Sequence, residues 1–250
     1  MARDGRIDGM IRSLVRQNNN NLENHMIKFR KTAVLLGLVC VAAALFCGCR
    51  NDKRISEGYG AVTAGCESAS ARESGEIMIY ETIKPEKEIG DKVLLKTTET
   101  YIKYVKTDAL EYDFTESTKS LTSGDVDLFE ATRENGSLTI SRNGKAVDAS
   151  EEPDIFANLK VDYAESDIDS VDKIEANDGV TVWAVKMNDA YAAKFDKTED
   201  GMTYGCEKVA YNYYIGTDGM ASTVVCEYTY KLTADGESQT LVHFIQTTVE

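Results

Sequence analysis

The chain has 250 residues, with 42 Asp/Glu against 28 Lys/Arg, a formal net charge of −14 and only two histidines. So acidic a chain repels nucleic acid and anionic membrane surfaces, and it has too little histidine for a histidine-rich zinc site. The length suits one domain with a real core plus a short extension.

Residues 1–25 are polar, carry the run Asn18 to Asn21, and offer nothing to pack. They read as a mis-annotated extension or a disordered tail, with Met26 as the expected true start. From Met26 the chain reads MIKFRKTAVLLGLVCVAAALFCGC. Lys28, Arg30 and Lys31 form a basic segment, and an uncharged apolar run from Thr32 to Phe46 follows. This is the layout of an export signal, whose apolar part is shorter than the roughly 20 residues of a spanning helix. The ending Leu45-Phe46-Cys47-Gly48-Cys49 resembles the lipobox of bacterial lipoproteins, in which a small residue precedes the lipid-bearing cysteine. Phe46 and Cys47 stand where that family has leucine and a small residue.

The resemblance implies a signal peptide over 26–48, cleavage after Gly48 and a diacylglyceryl group on Cys49. It places the protein on the extracytoplasmic face of a bacterial membrane, lipid-anchored, as on the Gram-positive cell surface. Two acyl chains hold such a protein stably where one does not. Cys47, following bulky Phe46, is the competing acceptor, and an uncleaved signal anchor is the alternative to the whole reading. Cleavage before Cys49 removes seven basic and three acidic residues and leaves a formal net charge of −18.

Residues 49–76 are small, polar and rich in Gly, Ser and Ala, and read as a flexible tether with Cys66 exposed in it. Beyond Glu76, short β-rich runs alternate with Asn-Gly or Asp-Gly dipeptides at 135, 143, 178, 200, 218 and 235, which supply the positive φ of tight hairpin turns. Strands are expected over Ile77 to Ile83, Val93 to Val105, Ala109 to Thr115, Val126 to Thr132 and Ser137 to Arg142. More follow over Val180 to Met187, Lys208 to Ile215, Ala221 to Leu232 and Thr240 to Val249. Helix is expected over Asp154 to Leu159, Asp167 to Ile174 and Asp189 to Phe195. The fold class is mainly β (α+β): residues 77–250 form a curved antiparallel sheet or half-barrel with two or three short helices.

Two-residue turns at Asp218-Gly219 and Asp235-Gly236 set a register. Tyr213 then faces Val224, Tyr211 faces Cys226, Val209 faces Tyr228, Tyr228 faces His243 and Tyr230 faces Leu241. A period of two puts all of these on one face, with Lys208, Asn212, Glu227, Thr229 and Lys231 on a solvated one that Val242 and Phe244 break. Cys206 then lies about 16 Å along the strand from Cys226, too far for a disulfide, whose Cα atoms lie within about 7 Å. Cys226 is expected to be a buried free thiol.

The segment VTVWAVKMNDAYAAKF (Val180 to Phe195) and the strand pair from Tyr213 to Val249 resemble LolA/LppX/LprG-type lipoproteins. That resemblance implies an acyl-binding face against covering helices. Here the face carries Tyr211, Tyr213, Tyr228, Tyr230 and His243, as candidate ligand-facing or core residues, and is more polar than an acyl pocket. His243 reads as a core histidine bonded to Tyr228. No Gly-x-Ser-x-Gly elbow, Cys-x-x-Cys pair or phosphate-cradling glycine loop follows the signal. SDIDSVD fails the calcium-loop pattern.

No catalytic residue, cofactor or metal is therefore expected. The expected function is non-enzymatic: a membrane-anchored lipoprotein binding an apolar or amphipathic ligand or an envelope protein partner. A surface adhesin or structural interaction module with a packed core is the alternative, and an envelope hydrolase the third reading.

Overall fold

Asn135 and Asn143 take positive φ of 49° and 52°, each followed by a glycine at 76° and 74°, the backbone that a two-residue hairpin turn requires. They close the hairpins of Val126–Glu134 (β4), Ser137–Arg142 (β5) and Lys145–Ala146 (β6). The structure is a computed structural model. It describes residues 52–85, 96–106, 108–120, 123–176, 179–199, 202–234 and 237–250. The expected extension 1–25, the signal 26–48, Cys49 and the turns at 200–201 and 235–236 lie outside these.

The other strands are Ser74–Pro85 (β1), Lys96–Lys106 (β2), Leu110–Ser120 (β3), Ile168–Glu175 (β7), Thr181–Met187 (β8), Lys197–Glu199 (β9), Met202–Ile215 (β10), Ala221–Ala234 (β11) and Glu237–Val249 (β12). All pair antiparallel in one open curved sheet ordered β6-β5-β4-β3-β2-β1-β12-β11-β10-β8-β7, with β9 beside β10. The mainly β architecture is therefore present, with fewer short helices than expected.

Residues 52–70 are not a flexible tether. Asp52–Ser70 forms a helix (α1) that buries Ile55, Gly58, Val62, Gly65, Cys66 and Ala69. Those positions recur at helical spacing, and packing against the sheet supplies the stability that a glycine-containing sequence lacks alone. Cys66 is buried, not exposed. Because α1 packs on the sheet, the folded unit begins no later than Asp52.

The glycines let α1 lie close. A Cβ on Gly58 would stand 2.6 Å from Val171 Cγ1, and one on Gly65 2.5 Å from Ile215 Cδ1. The helix starts over β7 and β8, crosses β10 and β11, and ends where Lys106 donates to the Ser70 carbonyl.

Residues Asp167 to Ile174 form strand β7 instead of helix. A bulge at Asp169 lets Ile168 face Met187 and Val171 face Val185 on one side of the sheet. A spacing of three, which reads as helical, thus arises within a strand. Asp154 to Leu159 holds only a 3-10 turn at Ala157–Leu159. Asp189–Ala192 (α2), continued by a 3-10 turn over Ala193–Phe195, is the expected helix that forms, and Asn188 caps it by accepting from the Tyr191 N–H at 2.9 Å.

The expected register is present: Tyr213↔Val224, Tyr211↔Cys226, Val209↔Tyr228, Tyr228↔His243 and Tyr230↔Leu241. The turn producing it differs. Gly216 donates to Met220 and Gly219 to Gly216, giving a three-residue loop instead of the expected two. Ser222 then bulges between Ala221 and Thr223 and restores the register. A bulge at Glu207 pairs Cys206 with Tyr230, and Cys66, Cys206 and Cys226 are all free. The opposite face is broken further than Val242 and Phe244 alone would break it, since Tyr214, Val225 and Gln246 on it are buried.

Candidate functional site

The inner face divides into two regions. Over β8, β10 and β11 it is filled. Tyr211 and Tyr213 stack on each other at 5.9 Å and lie beneath Tyr163, whose ring is 5.2 Å from that of Tyr211. The Tyr163 hydroxyl donates to Tyr213 at 3.0 Å, and the Tyr191 and Tyr211 hydroxyls lie 3.2 Å apart. Burial pushes the hydroxyls of Tyr211, Tyr213 and Tyr163 well up from their ordinary range, because the phenolate loses its water. Phe195 of the α2 segment packs edge-on against Tyr228 at 5.0 Å, and Tyr228 stacks beside Tyr230 at 6.1 Å. Of the expected ligand-facing or core residues, Tyr211 and Tyr213 are core, while Tyr228, Tyr230 and His243 are half-buried at its margin.

His243 sits between the two regions. Its ring stacks on Tyr228 with centroids 5.4 Å apart, and its Nε2 donates to Glu81 Oε1 at 2.8 Å. The expected His243–Tyr228 hydrogen bond is thus replaced by a stack, since a directly facing cross-strand pair brings the rings side by side.

Beyond His243 the inner face carries a mixed strip on β12, β1, β2 and β3. Successive cross-strand rows place Ile83 beside Lys96, Ile245 beside Glu81 and Thr98, and Ile79 beside Thr100 and Glu116. Ile79, Ile83, Ile245, Glu81 and Glu116 are half-buried, and the principal packing of α1 and α2 falls on other strands.

The two carboxyls are driven in opposite directions. The His243 hydrogen bond holds Glu81 below its ordinary value, against the effect of burial and with help from Lys96. Burial, then the Glu81 charge, pushes Glu116 up, with Lys96, Arg142 and a Thr100 hydrogen bond opposing. The Thr98 and Thr118 hydroxyls bond each other at 3.0 Å. Such a strip can present an apolar surface beside fixed donors and a carboxylate. Among the described residues no group of His, Cys, Asp and Glu is placed to hold a metal ion.

Sequence reasoning found His243 and missed Glu81, Glu116 and Lys96. The signal for Glu81 is a lone carboxylate in the same-face series Ile77, Ile79, Glu81, Ile83. Glu116 has no comparable signal in a strand as polar as β3.

No protein-family model matches the chain, and no curated protein matches it. Among solved structures, a DUF1329 family protein from Desulfovibrio piger aligns over 79% of this chain and 91% of its own at 11% identity, with a TM-score of 0.25. A likeness of that size carries no argument. Among the described residues no helix is long and apolar enough to cross a membrane.

Proposed function

We propose that this chain is a non-enzymatic, lipid-anchored extracytoplasmic protein whose mixed inner strip binds an amphipathic ligand. The observation that carries this reading is the division of the inner face. Tyr211 and Tyr213 are covered by the protein's own helix and aromatic rings, whereas Ile79 and Ile245 are half-buried against the margin of the core and Ile83 is half-buried next to them, beside Glu81, His243 and Lys96. An apolar chain fits the isoleucines, and a polar head group fits the carboxylate and imidazole.

The ligand lies along the strip. A described depression of about 250 Å³ is elsewhere, lined by residues that include Lys103, Glu111, Asp113 and Arg133. That is smaller than the roughly 300 Å³ at which small-molecule sites begin.

Native mass spectrometry of the chain after mild extraction tests the reading. Non-covalent mass beyond that of the lipidated chain is expected on the wild type and absent from an Ile79→Asp, Ile245→Asp variant that keeps wild-type circular dichroism and the same covalent lipid. A wild type that carries its covalent lipid and no non-covalent mass overturns the ligand. The burial of Tyr211 and Tyr213 favours the second reading, an interaction module with a packed core, for which no non-covalent mass is expected.

A further inference from the structure

We propose that the folded unit is held directly against the lipid headgroups by the β7–β8 edge of its sheet, with no spacer between anchor and fold. This rests on the lipid-anchored reading above. Cys49 precedes the first residue of α1, Asp52, by three positions. A fully extended chain spans at most about 3.6 Å per residue, so Asp52, where the first turn of α1 begins, stays within about 11 Å of Cys49.

That turn is fixed to the sheet. Ile55 is buried, Arg54 Nη1 lies 3.7 Å from Asp172 Oδ1 on β7, and Gly58 rests against Val171 of β7 and Trp183 of β8. The strand β7 is the last of the sheet order, so an outer edge of the fold is brought to the membrane.

The surface there suits the contact. Lys53, Arg54 and Lys173 stand among Asp52, Glu57, Asp172 and Glu175, with Lys173 and Glu175 paired at 2.9 Å. This is a nearly balanced patch on a strongly acidic chain, so it approaches an anionic headgroup layer at little electrostatic cost. Ile174, 36% exposed, is the large apolar side chain at that edge.

The orientation also places the mixed strip. From β7, the strand β1 is reached through β8, β10, β11 and β12. Five spacings of about 4.8 Å set Glu81 roughly 24 Å from the anchored edge, measured along the sheet. The strip therefore meets its ligand on the aqueous side and does not dip into the bilayer.

The experiment uses the lipidated full chain in phosphatidylglycerol–phosphatidylcholine vesicles containing brominated lipid. Because Cys66, Cys206 and Cys226 are buried, an Ile174→Cys or Val126→Cys variant labels selectively with a polarity-sensitive dye. Val126 is 56% exposed on β4, far along the sheet.

Quenching at position 174 several-fold above that at 126 is expected. A twenty-residue Gly/Ser insertion before Asp52 should abolish the difference while flotation with vesicles persists. Flotation with equal, weak quenching at both positions overturns the orientation alone. Absence of flotation in the parent chain overturns the lipid anchor and the orientation with it.

Discussion

His243 and Glu81 face each other diagonally across β12 and β1 and share a 2.8 Å hydrogen bond, with the imidazole clamped on its other side by the Tyr228 ring. This contact joins the packed aromatic region to the mixed strip. It also makes the stability of the strip depend on pH.

Glu81 is held below its ordinary 4.5. Its folded-state pKa lies under its unfolded one, so its contribution is present above the unfolded value and is lost as pH falls through the folded one. Glu116 is the reverse. Its carboxyl is raised, so the charged form opposes folding above the raised value and ceases to do so as the pH drops. Urea midpoints should therefore show Glu81→Gln losing stability at pH 7 but with a flatter decline below pH ~4.5. Glu116→Gln should gain stability at pH 7, with the gain vanishing in acid.

Removing one hydroxyl from the buried Tyr163–Tyr213 pair strands the other. Tyr213→Phe is expected to cost about 1–3 kcal/mol, the desolvation penalty of an unpaired buried hydroxyl. The double change Tyr163→Phe, Tyr213→Phe should recover most of it. A double-mutant cycle by chemical denaturation measures the coupling, and simple additivity of the two losses would refute the pairing.

The three glycines of α1 should respond differently to alanine. Gly60 has nothing within 4 Å of a Cβ, so Gly60→Ala should stabilise by up to about 1 kcal/mol through helix propensity. At Gly58 the new methyl meets a β-branched Val171 and the rigid Trp183 ring, and overpacking of this kind costs about 1–3 kcal/mol. At Gly65 the obstacle is Ile215 Cδ1, the end of a flexible side chain, so the two effects should nearly cancel. Thermal melts of the three variants give the order Gly60→Ala, Gly65→Ala, Gly58→Ala from most to least stable.

Thiol labelling checks the packing of α1 directly. Burial pushes Cys66 and Cys226 up to about 12 and Cys206 to about 11, leaving almost no thiolate at neutral pH. A soluble disulfide reagent at pH 8 should modify none of the three in the folded protein and all three in urea. Rapid reaction of Cys66 would mean that residues 52–70 are a tether after all.

Much of the sheet was legible because its information is local. Asn135-Gly136 and Asn143-Gly144 carry their own positive φ, and Ser137–Arg142 is bounded on both sides by such turns. The inward series of β10, β11 and β12 repeats every second residue, so one correct pairing aligned Tyr211, Cys226 and Ile245 together. At the Asp218-Gly219 turn the pairing held although the turn chemistry did not, since the one-residue shift of the loop is cancelled by the Ser222 bulge.

Alternation and turn dipeptides specified most of the strands of β1 to β5 and the pairing of β10 to β12 in advance of any tertiary contact, because a pleat and a hairpin are settled by neighbours a few residues apart. The helix α1 depended on contacts far along the chain. Its glycines weaken it in isolation and become an advantage only when Val171, Trp183 and Ile215 arrive against them. The same holds for β7, where the Asp169 bulge turns Ile168 and Val171 to one side only through pairing with β8. The strip of Glu81, Glu116, Lys96 and His243 is likewise assembled from β1, β2, β3 and β12, and no short window of sequence contains it.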